Sequence, residues 1–325
     1  MRAALWQGSV VFDVNRLLPP QGSSYWQYLE IANDVSDAGL IVGDGSYYFG
    51  PPYGYARASA FVLTPPAFLK VVSPLLSQQR MFSFNVLGQS GLVCTIEATT
   101  SLSTPAWASL GTVTLNGGSA VFTDNNAPGY SVRFYRVKSG NETSGDVVGF
   151  QVRQVPAGYS MVSCPFEMSD NRVPAAFDGA PDFTGVSKWD DSTQAWRINS
   201  KGPWGWVDRL MTADPGEGLV VNTTSAFELR FWGRVQQNCP KKPVGRQLSV
   251  HGSMAALSGG VWSALKFPVA NGENIYRMTG TDGSYTIYTY WNNTWSPSEP
   301  IIGLGEAFWV NKDKPTTWRQ NYSAW

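Results

Sequence analysis

The segment "PGEGLVVN" at 215–222 returns as "LGEAFWVN" at 304–311. A constant shift of 89 positions superposes Val186 on Ile275, Lys188 on Arg277, Trp206 on Trp295 and Gly216 on Gly305. The same shift places Glu217 on Glu306, Val221 on Val310 and Asn222 on Asn311. One offset held across aromatic, charged and turn positions marks a duplicated unit, so whatever this half of the chain builds, it builds twice. Upstream the register reads as slipping, and "YSMVSCPF" (159–166) is expected to match "VWSALKFP" (261–268) as the opening strand.

The rest of the chain points to the same structural class. Trp (14), Tyr (14) and Phe (16) are frequent, and so are Gly (33) and Pro (21), the mark of short aromatic strands separated by tight turns. In 80–138, Phe82, Phe84 and Val86 alternate with polar residues, as do Cys94, Ile96 and Ala98, which predicts a small β-sandwich of immunoglobulin or fibronectin type. Residues 1–66 read as short strands around an Asp/Gly-rich turn. The stretch 64–76 carries prolines and reads as a linker or short helix, and 138–149 as a polar linker. The expected fold is therefore all-β, with tandem sandwich or blade-like modules at 1–66 and 80–138 and the duplicated units at 150–235 and 245–325.

Three resemblances accompany this reading. "NDVSDAGLIVGDG" and "AFVLTP" in 1–66 resemble one unit of the blade-like HAF repeats of extracellular bacterial proteins. "IEATTSLS", Trp107, "FTD" (122–124) and "RFYR" (133–136) resemble a module common in secreted proteins of Verrucomicrobia and Planctomycetes. The order of "DPGEGLVVN" and "LGEAFWVNKDKPTTW" over 150–325 is similar to tandem C-terminal repeats of the same proteins. The resemblance implies a modular β-architecture and an extracellular or cell-surface location, and no assigned chemistry. Met1 is not followed by a signal peptide, and HAF-type units come in series. Both suggest a fragment whose true N-terminus lies upstream.

Charged residues are only 15% of the chain and balance at 24 basic and 24 acidic, so no electrostatic footprint for nucleic acid is present. No apolar run approaches the roughly 20 residues of a membrane span. Cys94, Cys164 and Cys239 have no metal-binding spacing; a Cys164–Cys239 disulfide or three buried small hydrophobes are the alternatives.

Several residues are candidates for chemistry. Glu217 and Glu306 would suit a glycosidase if the two copies met across a cleft; otherwise each caps the backbone where a strand begins. His251, the only histidine, would be needed for a Ser-His-Asp triad, though no serine sits in a G-x-S-x-G elbow. Asp34, Asp37 and Asp44 flank tight turns, where they would serve calcium or the turn itself. Trp189, Trp196, Trp204, Trp206, Trp291 and Trp295 cluster near polar turns; each either stacks on a sugar ring or fills a core. Trp204 and Trp291 lie closest to turn residues and are expected to be exposed. The function expected is non-catalytic binding or adhesion to a polysaccharide or cell-surface ligand. The alternative is an extracellular hydrolase of esters, lactones or glycosides, with or without calcium, with its site between modules.

Overall fold

A computed structural model describes residues 69–322 without a break and, ahead of them, the strand segments 4–7, 10–13, 26–35, 41–48 and 56–63. Among these residues the regular secondary structure is almost wholly antiparallel strand, and no helix is long and apolar enough to cross a membrane. Trp26–Val35, Ile41–Tyr48 and Ala56–Leu63 form a three-stranded sheet. Three register shifts in its first strand fit ten residues against a shorter partner.

The sandwich is larger than the alternation at 80–138 predicts. One sheet holds Lys70–Leu76, Phe82–Leu87 and Ser119–Asp124. The other runs Phe227–Arg234, Val148–Val155, Val132–Ser139, Val93–Thr99 and Ala108–Thr114. Phe82, Phe84 and Val86 face Cys94, Ile96, Tyr135 and Phe150 between them, with the Phe82 and Tyr135 rings stacked at 4.9 Å. Thus 70–76, read above as linker or short helix, is a strand. It tolerates Pro74 because a bulge with Ser73 at φ 53° interrupts the ladder there. The stretch 138–149, read as a linker, is a hairpin closed by Ser139 and Glu142, followed directly by the next strand.

Side chains of the "FTD" and "RFYR" segments join the two sheets and brace one of them. Asp124 is buried and accepts hydrogen bonds from Arg133 Nη1 (2.6 Å), Tyr135 Oη (2.8 Å) and the Asn126 amide (2.9 Å). Arg136 pairs with Glu97 at 2.7 Å while its guanidinium lies 4.4 Å from the Trp107 ring.

The two copies of the duplicated unit have one topology. The first orders its strands Gly158–Val162, Leu219–Thr223, Gly185–Asp190, Ala195–Gly202 and Gly205–Trp206. The second orders Gln247–Gly252, Ala307–Lys312, Asn274–Met278, Tyr285–Trp291 and Thr294–Ser296 in the same way. Gly158 and Gln247 stand 89 apart, so the register does not slip and the opening strand of the second copy is Gln247–Gly252. The stretch 261–268, expected to be that strand, is a set of turns that buries Leu265 and Phe267 and is anchored by Glu299 accepting the Trp262 and Ser263 amides.

Contacts between the copies are reciprocal. The Ser163 amide donates to the Gly305 carbonyl (2.9 Å), and the equivalent Gly252 amide to the Gly216 carbonyl (3.3 Å). Arg153 Nη1 donates to Gly305 O (2.8 Å), and its counterpart Lys242 Nζ to Gly216 O (3.0 Å). Between them lies a small core of Met161, Val220, Val250, Ala307 and Trp309, in which Met161 matches Val250 and Val220 matches Trp309. When residue i of one copy meets j of the other and the equivalents of both also meet, the units are related by an approximate two-fold axis. Ser163 and Gly252 are equivalents that touch: a Cβ on Gly252 would lie 2.0 Å from Ser163 Oγ.

One buried site has changed chemistry between the copies. Thr184 and Thr223 hydroxyls lie 3.1 Å apart in the first; at the same positions in the second, Lys312 Nζ pairs with Glu273 Oε2 at 2.5 Å, and both residues are buried. A buried ion pair does little for net stability, but leaving one partner alone is costly. Lys312→Thr alone should lower unfolding free energy by about 3–5 kcal/mol, whereas Glu273→Thr with Lys312→Thr should return to within about 1–2 kcal/mol of the parent. Urea denaturation of the three proteins measures this.

Candidate functional site

The repeated glutamates sit in type II turns. In Asp214-Pro215-Gly216-Glu217 the Glu217 amide donates to Asp214 O (3.0 Å), with proline second and Gly216 third at φ 84°. Gly303-Leu304-Gly305-Glu306 closes in the same way at 3.1 Å, with Gly305 at φ 68°. Each carboxylate folds back on its own turn: Glu217 accepts the Asp214 amide (3.0 Å) and Glu306 the Gly303 amide (2.9 Å). Each is then neutralised by the base at the matched position, Lys188 at 2.6 Å and Arg277 at 2.6 Å. The copies do meet face to face, yet both carboxylates are occupied in holding the turns whose carbonyls join the copies. A cleft of about 350 Å³ lies beside Glu217, walled by Trp189, Asp191, Arg197 and Lys242.

His251 is fully buried. It stands where the first copy has Val162, boxed by Phe267, Phe308 and Trp318 at ring distances of 5.6–6.4 Å. Its Nε2 lies 2.8 Å from Ser249 Oγ, but Nδ1 has no hydrogen-bond partner among the described residues, so no carboxylate orients the ring as a triad requires. Burial, aided by Lys242 and Lys312, lowers its pKa to about 3.

The tryptophans divide into three groups. Trp189 and Trp196 pack edge-to-face with each other and with Trp309 at 5.1–5.2 Å, and the Trp189 indole N–H reaches across to Leu248 O at 2.9 Å. They are part of the junction between copies. Trp206 is buried against Phe177, and Trp295 packs on Tyr290. Trp204 and Trp291 are 95% and 64% exposed, both on the last hairpin of their copy. No single row of indoles forms.

Around Trp204 the first copy departs from the second. Trp204, Val207 and Leu210 all project into solvent, where the second copy has Asn293, Ser296 and Glu299. Trp204 and Arg209 line an open cleft of about 460 Å³ with Asp170, Arg172, Pro174 and the edge of Trp206. Two asparagines hold its walls. Buried Asn199 grips Asp208 through Nδ2 to the carbonyl (2.7 Å) and Oδ1 from the amide (2.9 Å), which sets the loop carrying Arg209. Asn171 accepts the Met168 amide (2.9 Å) and donates to Phe166 O (3.0 Å) and Ala213 O (3.1 Å), setting the loop of Asp170 and Arg172. Arg172 clasps Asp170 in a fork of 2.6–3.0 Å and holds that carboxylate below its ordinary pKa. The reading of the sequence missed Asp170, Arg172 and Arg209. The available signal was their contrast with Gly259, Val261 and Ser298 at the matched positions.

Of the calcium candidates, Asp34 and Asp44 lie on strands and not in turns; Asp44 accepts a hydrogen bond from the Asn33 amide group (2.8 Å), and Asp37 lies outside the described residues. Among the described residues no group of three or more His, Cys, Asp or Glu is placed to hold a metal ion. All three cysteines are free: Cys94 and Cys164 are buried, and Cys239, contrary to the buried alternative, is exposed.

Two measurements check the structural roles. Glu217→Ala and Glu306→Ala should each cost about 1–2 kcal/mol of stability in urea, through a lost turn bond and an orphaned base. For His251 the folded pKa lies below the unfolded value. The unfolded chain therefore takes up a proton first, and stability falls as pH drops from about 6.5 towards 3. The full loss is roughly 4 kcal/mol by pH 3. His251→Val, the residue of the first copy, should remove this part of the pH dependence in melting profiles taken from pH 7.5 to 4.

No family model matches this chain, and none of the curated proteins does, so geometry alone carries the functional reading that follows.

Proposed function

We propose that this chain is a binding module for extracellular polysaccharide and that it engages its ligand through the Trp204 cleft of the first copy. The observation that carries this reading is the near-complete exposure of Trp204 beside an open cleft of small-ligand size. An indole left in water at the tip of a hairpin contributes nothing to the core, and its flat apolar face suits the C–H face of a pyranose ring. The guanidinium groups at the rim supply donors to ring hydroxyls. The second copy forms the equivalent hairpin with Asn293 in place of Trp204, so the fold of the unit does not require this indole. The location implied by the sequence resemblance accords with such a ligand.

Binding to insoluble polysaccharides, read by pull-down with and without a calcium chelator, tests the proposal. Trp204→Ala should lower retention at least tenfold with unchanged melting temperature, while Trp291→Ala, at a residue that lines neither cleft described above, should leave most of it. Equal binding by wild type and Trp204→Ala would refute it. Turnover of chromogenic ester, lactone or glycoside substrates by the purified chain would favour the hydrolase alternative.

A further inference from the structure

We infer that the Trp204 cleft selects acidic polysaccharide, with the ring of an anionic sugar on Trp204 and its carboxylate or sulfate on Arg209. This rests on the binding reading above and adds the ligand's charge.

The charges around this cleft do not balance. Asp170 is its only acidic wall, and its carboxylate is already taken by the fork of Arg172 and by the Arg172 backbone amide (2.9 Å). Those two side chains cancel. Arg209 is exposed and has no ion pair or hydrogen bond among the described residues. The next carboxylate in sequence, Asp208, is turned to Arg197 (3.2 Å) and to the Leu210 and Met211 amides. The cleft thus presents one uncompensated guanidinium next to one bare indole. A guanidinium fork matches a carboxylate or sulfate through two parallel N–H···O bonds, which a neutral hydroxyl cannot reproduce. The second copy lacks both partners, carrying Asn293 and Ser298, so the unit folds without either. A chain with balanced charge and one exposed indole here offers no track for successive phosphates and bases, which argues against nucleic acid.

The experiment uses two matched pairs of soluble polymers that differ only in charge: polygalacturonate against its methyl ester, and dextran sulfate against dextran. Binding of the full chain is followed by tryptophan fluorescence or calorimetry at low and physiological salt. The expected result is at least tenfold tighter binding to the charged member of one pair, weakening with salt. Arg209→Gln should bring that ratio close to one while leaving neutral binding in place, and Arg172→Gln should change it less. Trp204→Ala should abolish binding to both members. Both Trp204 and Arg209 are exposed, so circular dichroism of the variants should match the parent.

Equal affinity for charged and neutral polymers, still lost in Trp204→Ala, would overturn the acidic preference and leave the binding reading intact. A charge preference that survives Arg209→Gln would also overturn it. Absence of binding to all four polymers would defeat both readings. Comparable affinity for poly(dT) would replace the sugar by a single-stranded nucleic acid. Preference for the carboxylate or the sulfate pair identifies the anion.

Discussion

Two carbonyl groups, those of Gly216 and Gly305, join the halves of the duplicated unit, and much of the surrounding chemistry exists to aim them. Each accepts a backbone amide from the opposite copy and a cation from the strand leading into it. Because the Glu217 and Glu306 amides point into their turns, the carbonyl of the same peptide, that of Gly216 or Gly305, is directed outward, and the type II form of each turn places positive φ, and hence glycine, at its third position. The turn in turn needs its first amide satisfied, which the glutamate does, and the glutamate needs a base, which Lys188 or Arg277 provides. The repeated Gly-Glu pair is therefore one assembly of turn, cap and counter-ion. That the two bases recur at the same offset as the two glutamates was a readable sign of the pairing.

The turns that join the copies keep their glycine, glutamate and base, whereas the apolar seam beside them (Trp189 against Met278, Val220 against Trp309) and positions away from it have diverged. A valine became a histidine inside an aromatic box. A pair of threonines became a lysine and a glutamate in an equally dry site. The ion pair is nearly fully satisfied, since Lys312 also reaches Pro268 O (2.6 Å) and Glu273 also accepts the Ala270 amide (2.8 Å), whereas the buried histidine leaves Nδ1 without a partner among the described residues. The surface hairpins differ as well, the solvent-facing indole of Trp204 standing where the second copy has Asn293.

Much of the fold was legible in the sequence because burial writes a period of two into strands. Phe82, Phe84 and Val86, with Cys94, Ile96 and Ala98, face the core as their spacing implies. The offset of 89 was legible, as was the exposure of Trp204 and Trp291. The opening strand of the second copy was not, because His251, Gly252 and Ser253 stand where Val162, Ser163 and Cys164 give the first its apolar look. The strand at 70–76 was hidden by Pro74, which a bulge accommodates at the sheet edge. The cleft was hidden for a different reason. Asp170, Arg172, Trp204 and Arg209 are gathered from two loops by Asn199 and Asn171, and nothing local in the sequence announces what those asparagines grip.

The contact of Ser163 with Gly252 has a consequence for how this assembly behaves on dilution. Two separate chains, each with serine at that point, would collide at the axis, so this side-by-side arrangement suits one chain carrying both versions. Covalent linkage then makes the pairing unimolecular: its strength does not depend on protein concentration, and no free half exists to be lost when the medium is thin. The same linkage gives each chain one Trp204 cleft, so engaging a polymer at two such clefts takes two chains.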